Sequence, residues 1–288
     1  MSEQPNKQVS AAAQELRDIL GLGKSGEQRR AEMLAGIRAE LMPKPEYMAM
    51  SRMAGRIIGS TLLRLSRGDQ AKINAVIARP EAFRYLVRQA LQGKTDAHYV
   101  ELVSGFLPRA WQMAHEFPHL RVTEVDLPDM IAEKRRRFEK AKLPLPPNLQ
   151  MLSTELCAKP LAEILGGEQA DAISAEGLLP YFELDRVQHI AACVRQSLKD
   201  DGVFIADILT KEIVHMLTPG RSRQAAGIFR RNVGKWLGVV NDRAHAEELF
   251  KAAGYAHVET YKLSEVVAPL ADVRKPVADL TLLIVARR

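Results

Sequence analysis

The sequence predicts an α/β fold. It reads as a Rossmann-like doubly wound sheet, mostly parallel with an antiparallel C-terminal edge, plus an N-terminal helical region and a helical lid insert. Three observations carry this. From residue 76 onward, short apolar runs alternate with amphipathic stretches of helical period, the pattern of parallel strands covered by helices on both faces. The last two apolar runs, AHVETYKLS and ADLTLLIVARR, follow one another in succession, which predicts an antiparallel edge. Residues 1 to about 75 show helical patterning throughout. At 288 residues, with 47% hydrophobic and 26% charged side chains, the chain is long enough to bury a sizeable core.

The elements can be justified in order. SAAAQELRDILGLG has Ser10 as a helix cap and a glycine-rich stop, and SGEQRRAEMLAGIRAELMPKP is a second helix ended by Pro43 and Pro45. From Tyr47 to Leu65, Met48, Met50, Met53, Ile57, Ile58 and Leu62 recur at helical spacing, as core or as a flexible pocket wall. Helix PEAFRYLVRQALQG then leads into strand HYVELVS, and a helix begins near Arg109. Strand RVTEVDLP, helix DMIAEKRRRFEKAK and a proline-rich break at 143–147 follow. Next come strand LQMLSTEL, helix KPLAEILGG, strand DAISAEGLL, helix ELDRVQHIAACVRQSLKDDG and strand VFIADIL. The division expected is an N-terminal helical cap or substrate region over 1–75 and a main domain over 76–288, with the lid insert at about 210–240.

Charge and composition narrow the function classes. A net charge of +6 fits a solvated surface rich in Lys and Arg, with an acidic carrier protein, nucleic acid or anionic substrate as the alternative. Aromatic residues are 6% of the chain, too few to supply the stacking surface of a single-strand nucleic-acid binder, so no nucleic-acid partner is expected. Cys157 and Cys193 make no disulfide framework and no metal-ligand spacing, and no histidine pattern suggests a metal. No signal segment or membrane-length apolar run is evident, so the expectation is a cytoplasmic chain with no membrane partner.

In open α/β sheets, ligands sit beyond the carboxyl ends of the strands, so polar residues there are the ones to weigh. The first strand ends in Glu101-Leu-Val-Ser-Gly105, where the glycine lets backbone approach a ligand. The second ends at Asp126, twenty-one residues after Gly105. A carboxylate there is placed to accept both hydroxyls of a ribose, or else to cap the helix after Pro128. The third ends at Glu155-Leu156. The fourth ends at Glu176, whose approach through Ala172, Ile173 and Ala175 is apolar; a carboxylate so placed is costly unless it binds something.

Taken together, ELVSGFLPRA, VTEVDLPDMIAEKRR and SAEGLLPYF resemble the leucine carboxyl methyltransferase family of S-adenosylmethionine-dependent methyltransferases over roughly residues 76–288. The resemblance implies a cofactor site for S-adenosylmethionine, with S-adenosylhomocysteine as product. Gly105 falls beside the methionine part, Asp126 on the ribose, and Glu155 with Leu156 beside the adenine. Glu176 faces the methionine amino group, and Arg79, just before the helix that leads into the first strand, pairs with the cofactor carboxylate. It also puts Tyr181 at the mouth of the substrate pocket, and Arg109 either on substrate or as a brace of the loop. Three departures stand out: Val103 and Ser104 replace the loop's first glycine and alanine, Leu107-Pro108 replace Asp-Thr before the arginine, and Glu155 replaces an aspartate. His215 is a candidate base in the lid, and Arg221, Arg223, Arg230 and Arg231 are candidate anion holders, each against a plain surface role.

The function this implies is O-methylation of a small-molecule carboxylate or hydroxyl in secondary metabolism, the acceptor free or carrier-protein-bound. The competing reading is a degenerate methyltransferase-like scaffold subunit, with Val103 and Leu107 as its evidence.

Overall fold

The computed structural model describes residues 26–65, 69–154, 159–217 and 236–288. The first predicted helix, Glu155, Leu156, Cys157 and the four lid arginines lie outside the described residues.

The N-terminal part consists of α1 (Gly26–Leu41), α2 (Pro45–Met50) and α3 (Met53–Leu65). Then α4 (Gln70–Leu91) leads into β1 (His98–Leu102), α5 (Arg109–Glu116), β2 (Arg121–Asp126) and α6 (Pro128–Lys140). Next are β3 (Leu149–Ser153), α7 (Leu161–Ile164), β4 (Ala170–Ala175), α8 (Leu184–Gln196) and β5 (Leu198–Thr210). The chain closes with α9 (Lys211–Leu217), β6 (Val239–Val240), α10 (Arg243–Ala252), β7 (His257–Lys262), α11 (Leu263–Val267) and β8 (Leu282–Arg287).

The strands lie in the order β3-β2-β1-β4-β5-β8-β7, with β6 beside the end of β5. β1 to β5 are mutually parallel, and β8 runs antiparallel to both β5 and β7. The antiparallel C-terminal edge is thus a pair in which β8 is the reversed strand and β7 the outermost. The order winds outward from β1 in one direction and from β4 in the other. The switch point falls between β1 and β4, and in sheets of this kind ligands bind beyond the carboxyl ends of the strands there.

Alternation along the strands sorts side chains to two faces. Val100, Leu102, Ile173, Phe204 and Ile208 join Val187, Ala191 and Phe250 of α8 and α10 on one side. Tyr99, Val122, Ala172, Val203 and Ile205 join Ala82, Phe83, Ala110 and Met113 of α4 and α5 on the other. By the same period of two, Glu101, Glu124 and Asp207 share the α4/α5 face, at its carboxyl end.

Two local features depart from the sequence expectation. Helix α4 begins ten residues before Pro80 and runs through it, so Arg79 lies inside the helix and not in front of it. An interior proline gives up a hydrogen bond and costs about 3 kcal/mol. Here Ile73, Ala78, Ala82, Phe83 and Val87 are buried on both sides of it, and packing overrides the break. The methionine-rich stripe is also divided. The chain turns at Ser51-Arg52, so Tyr47 and Met50 are core, whereas Met53 and Ile57 on α3 are 65% and 56% exposed.

α1 and α3 meet backbone to backbone. A Cβ on Gly36 would lie 1.9 Å from the Gly55 carbonyl oxygen, and one on Gly59 would lie 2.7 Å from the Ile37 nitrogen. Gly36→Ala is expected to destabilise the fold by roughly 2 kcal/mol or more, since backbone and not a flexible side chain must move. Denaturant unfolding checks this, and a loss below about 0.5 kcal/mol rules out the close crossing.

Candidate active site

Three of the strand-end carboxylates, Glu101, Glu176 and Asp207, are tied together by guanidinium groups from three helices. Arg79 reaches in from α4, Arg109 from the start of α5, and Arg38 from α1. All three meet Glu176, just past β4. Arg38 Nη2 lies 2.8 Å from Oε1, Arg109 Nη1 2.8 Å from Oε2, and Arg79 Nε 3.7 Å from Oε1. Arg109 is 1% exposed; its Nη2 lies 2.6 Å from Glu101 Oε1, and its guanidinium carbon sits 5.0 Å from the centre of the Phe83 ring. Both of its anion partners, Glu101 and Glu176, belong to the chain itself. Arg79 pairs with Asp207, which also accepts hydrogen bonds from Gly177 N at 2.8 Å and Thr281 Oγ1 at 2.7 Å. Gly177 has φ of +72°, and a Cβ there would stand 3.0 Å from Arg79 Nη2, so the turn needs glycine for both reasons.

Asp126 is buried. One carboxylate oxygen accepts from Gly105 N at 2.8 Å and the other from Leu127 N at 2.8 Å. Burial pushes its carboxyl above the ordinary range, against those two backbone hydrogen bonds. Burial likewise raises Glu101, against Arg109. Glu176 goes the other way: burial alone raises it, but Arg38, Arg109 and Arg79 together prevail and hold it at about 2.

This fixes a pH dependence. A depressed folded value means that the stabilisation from Glu176 is complete above the ordinary carboxyl value of 4.5 and is lost as pH falls toward about 2. The shift is worth on the order of 3 kcal/mol. Glu101 and Asp126 shift in the opposite direction, so their protonation in the folded state adds stability as pH falls and partly offsets that loss. Denaturant unfolding of wild type and Glu176→Gln from pH 5 to 2 is expected to show the steeper fall in wild type.

The loop between β1 and α5 answers the departure at Val103. Val103 has φ of +51° and Gly105 +57°. A branched residue in the left-handed region costs about 1–2 kcal/mol. Lys134 of α6 and Glu124 of β2, both buried, meet beneath this loop at 2.5 Å. On its outer side, between Phe106 and the exposed face of α6, lies a cleft of about 340 Å³ whose Glu133 is already paired with Arg52 and Arg136.

Tyr181 ends a single 3-10 turn, Leu179–Tyr181, and is half-buried; His215 is exposed on α9. Among the described residues no group of His, Cys, Asp and Glu could hold a metal, and no helix is long and apolar enough to cross a membrane. Sequence reasoning passed over Arg38, Glu124, Lys134 and Asp207, and gave Glu101 no role. Glu101 and Asp207 carried the signal that pointed to Glu176, a charge inside an apolar strand. Arg38 and Lys134 carried none, being ordinary charges within helices.

The strand order and the strand-end cluster define a methyltransferase fold. Two solved structures share it. A proposed O-methyltransferase from Nostoc punctiforme PCC 73102 has a TM-score of 0.51 and 13% identity over 75% of this chain. PigF with SAH has a TM-score of 0.50 and 12% identity over 87% of this chain. The chain spans 60% and 65% of their lengths. No curated protein sequence matches it. The model of the leucine carboxyl methyltransferase family matches residues 40–195, more than half of the chain, and the chain belongs to that family.

Proposed function

We propose that the protein is an S-adenosylmethionine-dependent O-methyltransferase acting on a small-molecule carboxylate or hydroxyl. The observation that carries this is the set of buried polar atoms at the switch point that lack well-directed hydrogen bonds. Both carboxylate oxygens of Glu101 and the Nε atoms of Arg38, Arg79 and Arg109 are in this state. Groups of both signs held dry and incompletely bonded are costly, and an amino-acid zwitterion supplies both complements. The site therefore fits the methionine end of the cofactor.

In this reading Asp126 holds the ribose hydroxyls, Glu176 the amino group and Arg79 the carboxylate. The Gly105 backbone lies along the methionine, and Glu155 and Leu156 border the adenine. Bound S-adenosylmethionine supplies an electrophilic methyl group on sulfur. The remaining task of the chain is positional: to hold an acceptor oxygen in line with that methyl and keep water out. Tyr181 lies on the acceptor side, with the insert after Thr210 as the lid. A carboxylate acceptor is already ionised and needs no base, whereas a hydroxyl needs one, for which His215 is the candidate.

Calorimetric titration with S-adenosylhomocysteine, followed by transfer of labelled methyl to a panel of carboxylic acids and phenols, tests the reading. Micromolar binding and label transfer are expected. No binding to folded protein at millimolar ligand overturns it and leaves a scaffold subunit, the reading that strained Val103 favours.

A further inference from the structure

Lys134 is fully buried among other buried charges, Glu124 and, farther off, Glu101 and Asp126, and its ammonium hydrogen bonds go to three acceptors. Its Nζ donates to Glu124 Oε1 at 2.5 Å, to Ser104 Oγ at 2.8 Å and to the Leu107 carbonyl at 2.5 Å. Ser104 Oγ donates in turn to Glu124 Oε1. The ammonium therefore grips the β1–α5 loop on both sides of Gly105, and ties it to β2 two residues before Asp126. Between those two grips run the loop's own bonds, Gly105 N to Asp126 and Leu107 N to Ser104 O at 3.1 Å. Val103, immediately before the grip, is the residue forced into the left-handed region.

We propose that Lys134 is the positioning residue of this loop: with Glu124 and Ser104 it forms an ionic clamp that imposes the conformation Val103 resists. A glycine at 103 adopts positive φ at no steric cost and has no need of such a device. A valine does not, and persists there because the surrounding structure over-determines it. Ser104, which stands where the family has alanine, supplies the hydroxyl that completes the clamp. The effect on ligand affinity rests on the cofactor reading above; the effect on the loop does not.

The test has two arms. Lys134→Met/Glu124→Gln removes the clamp without leaving a bare buried charge. Amide hydrogen exchange of residues 103–107 is expected to rise at least tenfold, with the central strands unchanged, and the Kd for S-adenosylhomocysteine to rise at least tenfold. Adding Val103→Gly is expected to return both toward wild type. A role confined to general stability would not be rescued by a substitution that itself removes a half-buried apolar side chain. If the double variant does not fold, Ser104→Ala, alone and with Val103→Gly, carries the same comparison at about threefold. Unchanged exchange, or failure of Val103→Gly to restore it, overturns the clamp. If wild type binds no S-adenosylhomocysteine the functional reading falls, and the exchange arm still decides the clamp.

Discussion

Asp126→Ala is expected to weaken S-adenosylhomocysteine binding by 100-fold or more while leaving the fold in place. Two hydroxyls donating to one buried carboxylate make charge-assisted hydrogen bonds worth roughly 1.5–3 kcal/mol each. Their loss together corresponds to about two to four powers of ten in Kd. Alanine also removes the acceptor of Gly105 N and Leu127 N, so the loop loses its anchor at the same time. Asp126→Asn separates the two effects, because an amide keeps one acceptor oxygen for the backbone and loses the charge. Calorimetry on all three proteins checks this. Asp126→Ala binding within threefold of wild type removes Asp126 from the site.

The largest stability effect is expected at Arg109. Its guanidinium lies between Glu101 and Glu176 with 1% exposure. Arg109→Met leaves two carboxylates facing each other without that cation. Breaking a buried pair in this way costs about 3–5 kcal/mol. In a chain of this size that corresponds to a fall in Tm of roughly 1.7 °C per kcal/mol. Arg109→Met/Glu101→Gln is expected to recover a large part of the loss, since the neutral amide no longer needs a counter-charge. Thermal and denaturant unfolding of both variants measure it. Equal stability of Arg109→Met and wild type contradicts the buried double ion pair.

Both predictions come from residues that differ in how legible they were. Asp126 and Glu176 could be read directly, because each is a carboxylate where an apolar strand ends, and the strand-to-helix alternation fixes which end of the sheet that is. Glu101 and Asp207 were readable by the same rule. Arg79 was legible only through family resemblance, and its setting was misjudged: a proline beside it reads locally as a helix start, yet burial along the whole of α4 keeps the helix intact through Pro80. The methionine stripe misled for the converse reason. Periodicity sees one continuous helix from Tyr47, and the turn at Ser51-Arg52 changes which residues face inward.

The order of residues along the chain already specifies the α/β class, the doubly wound alternation of strands and helices, the antiparallel C-terminal pair, and two of the carboxylates at the strand ends. These follow from period, length and the desolvation cost of charge, all of which are local properties of a chain. What those carboxylates meet is set by packing in three dimensions. That Arg38 of α1 meets the same carboxylate as Arg109, seventy-one residues further on, and that Lys134 reaches back beneath Val103, depend on how helices pack against strand ends. A surface-like Arg or Lys on an amphipathic helix has the same pattern whether it faces water or a buried anion. The difference is made by distance in space, which no spacing along the chain encodes.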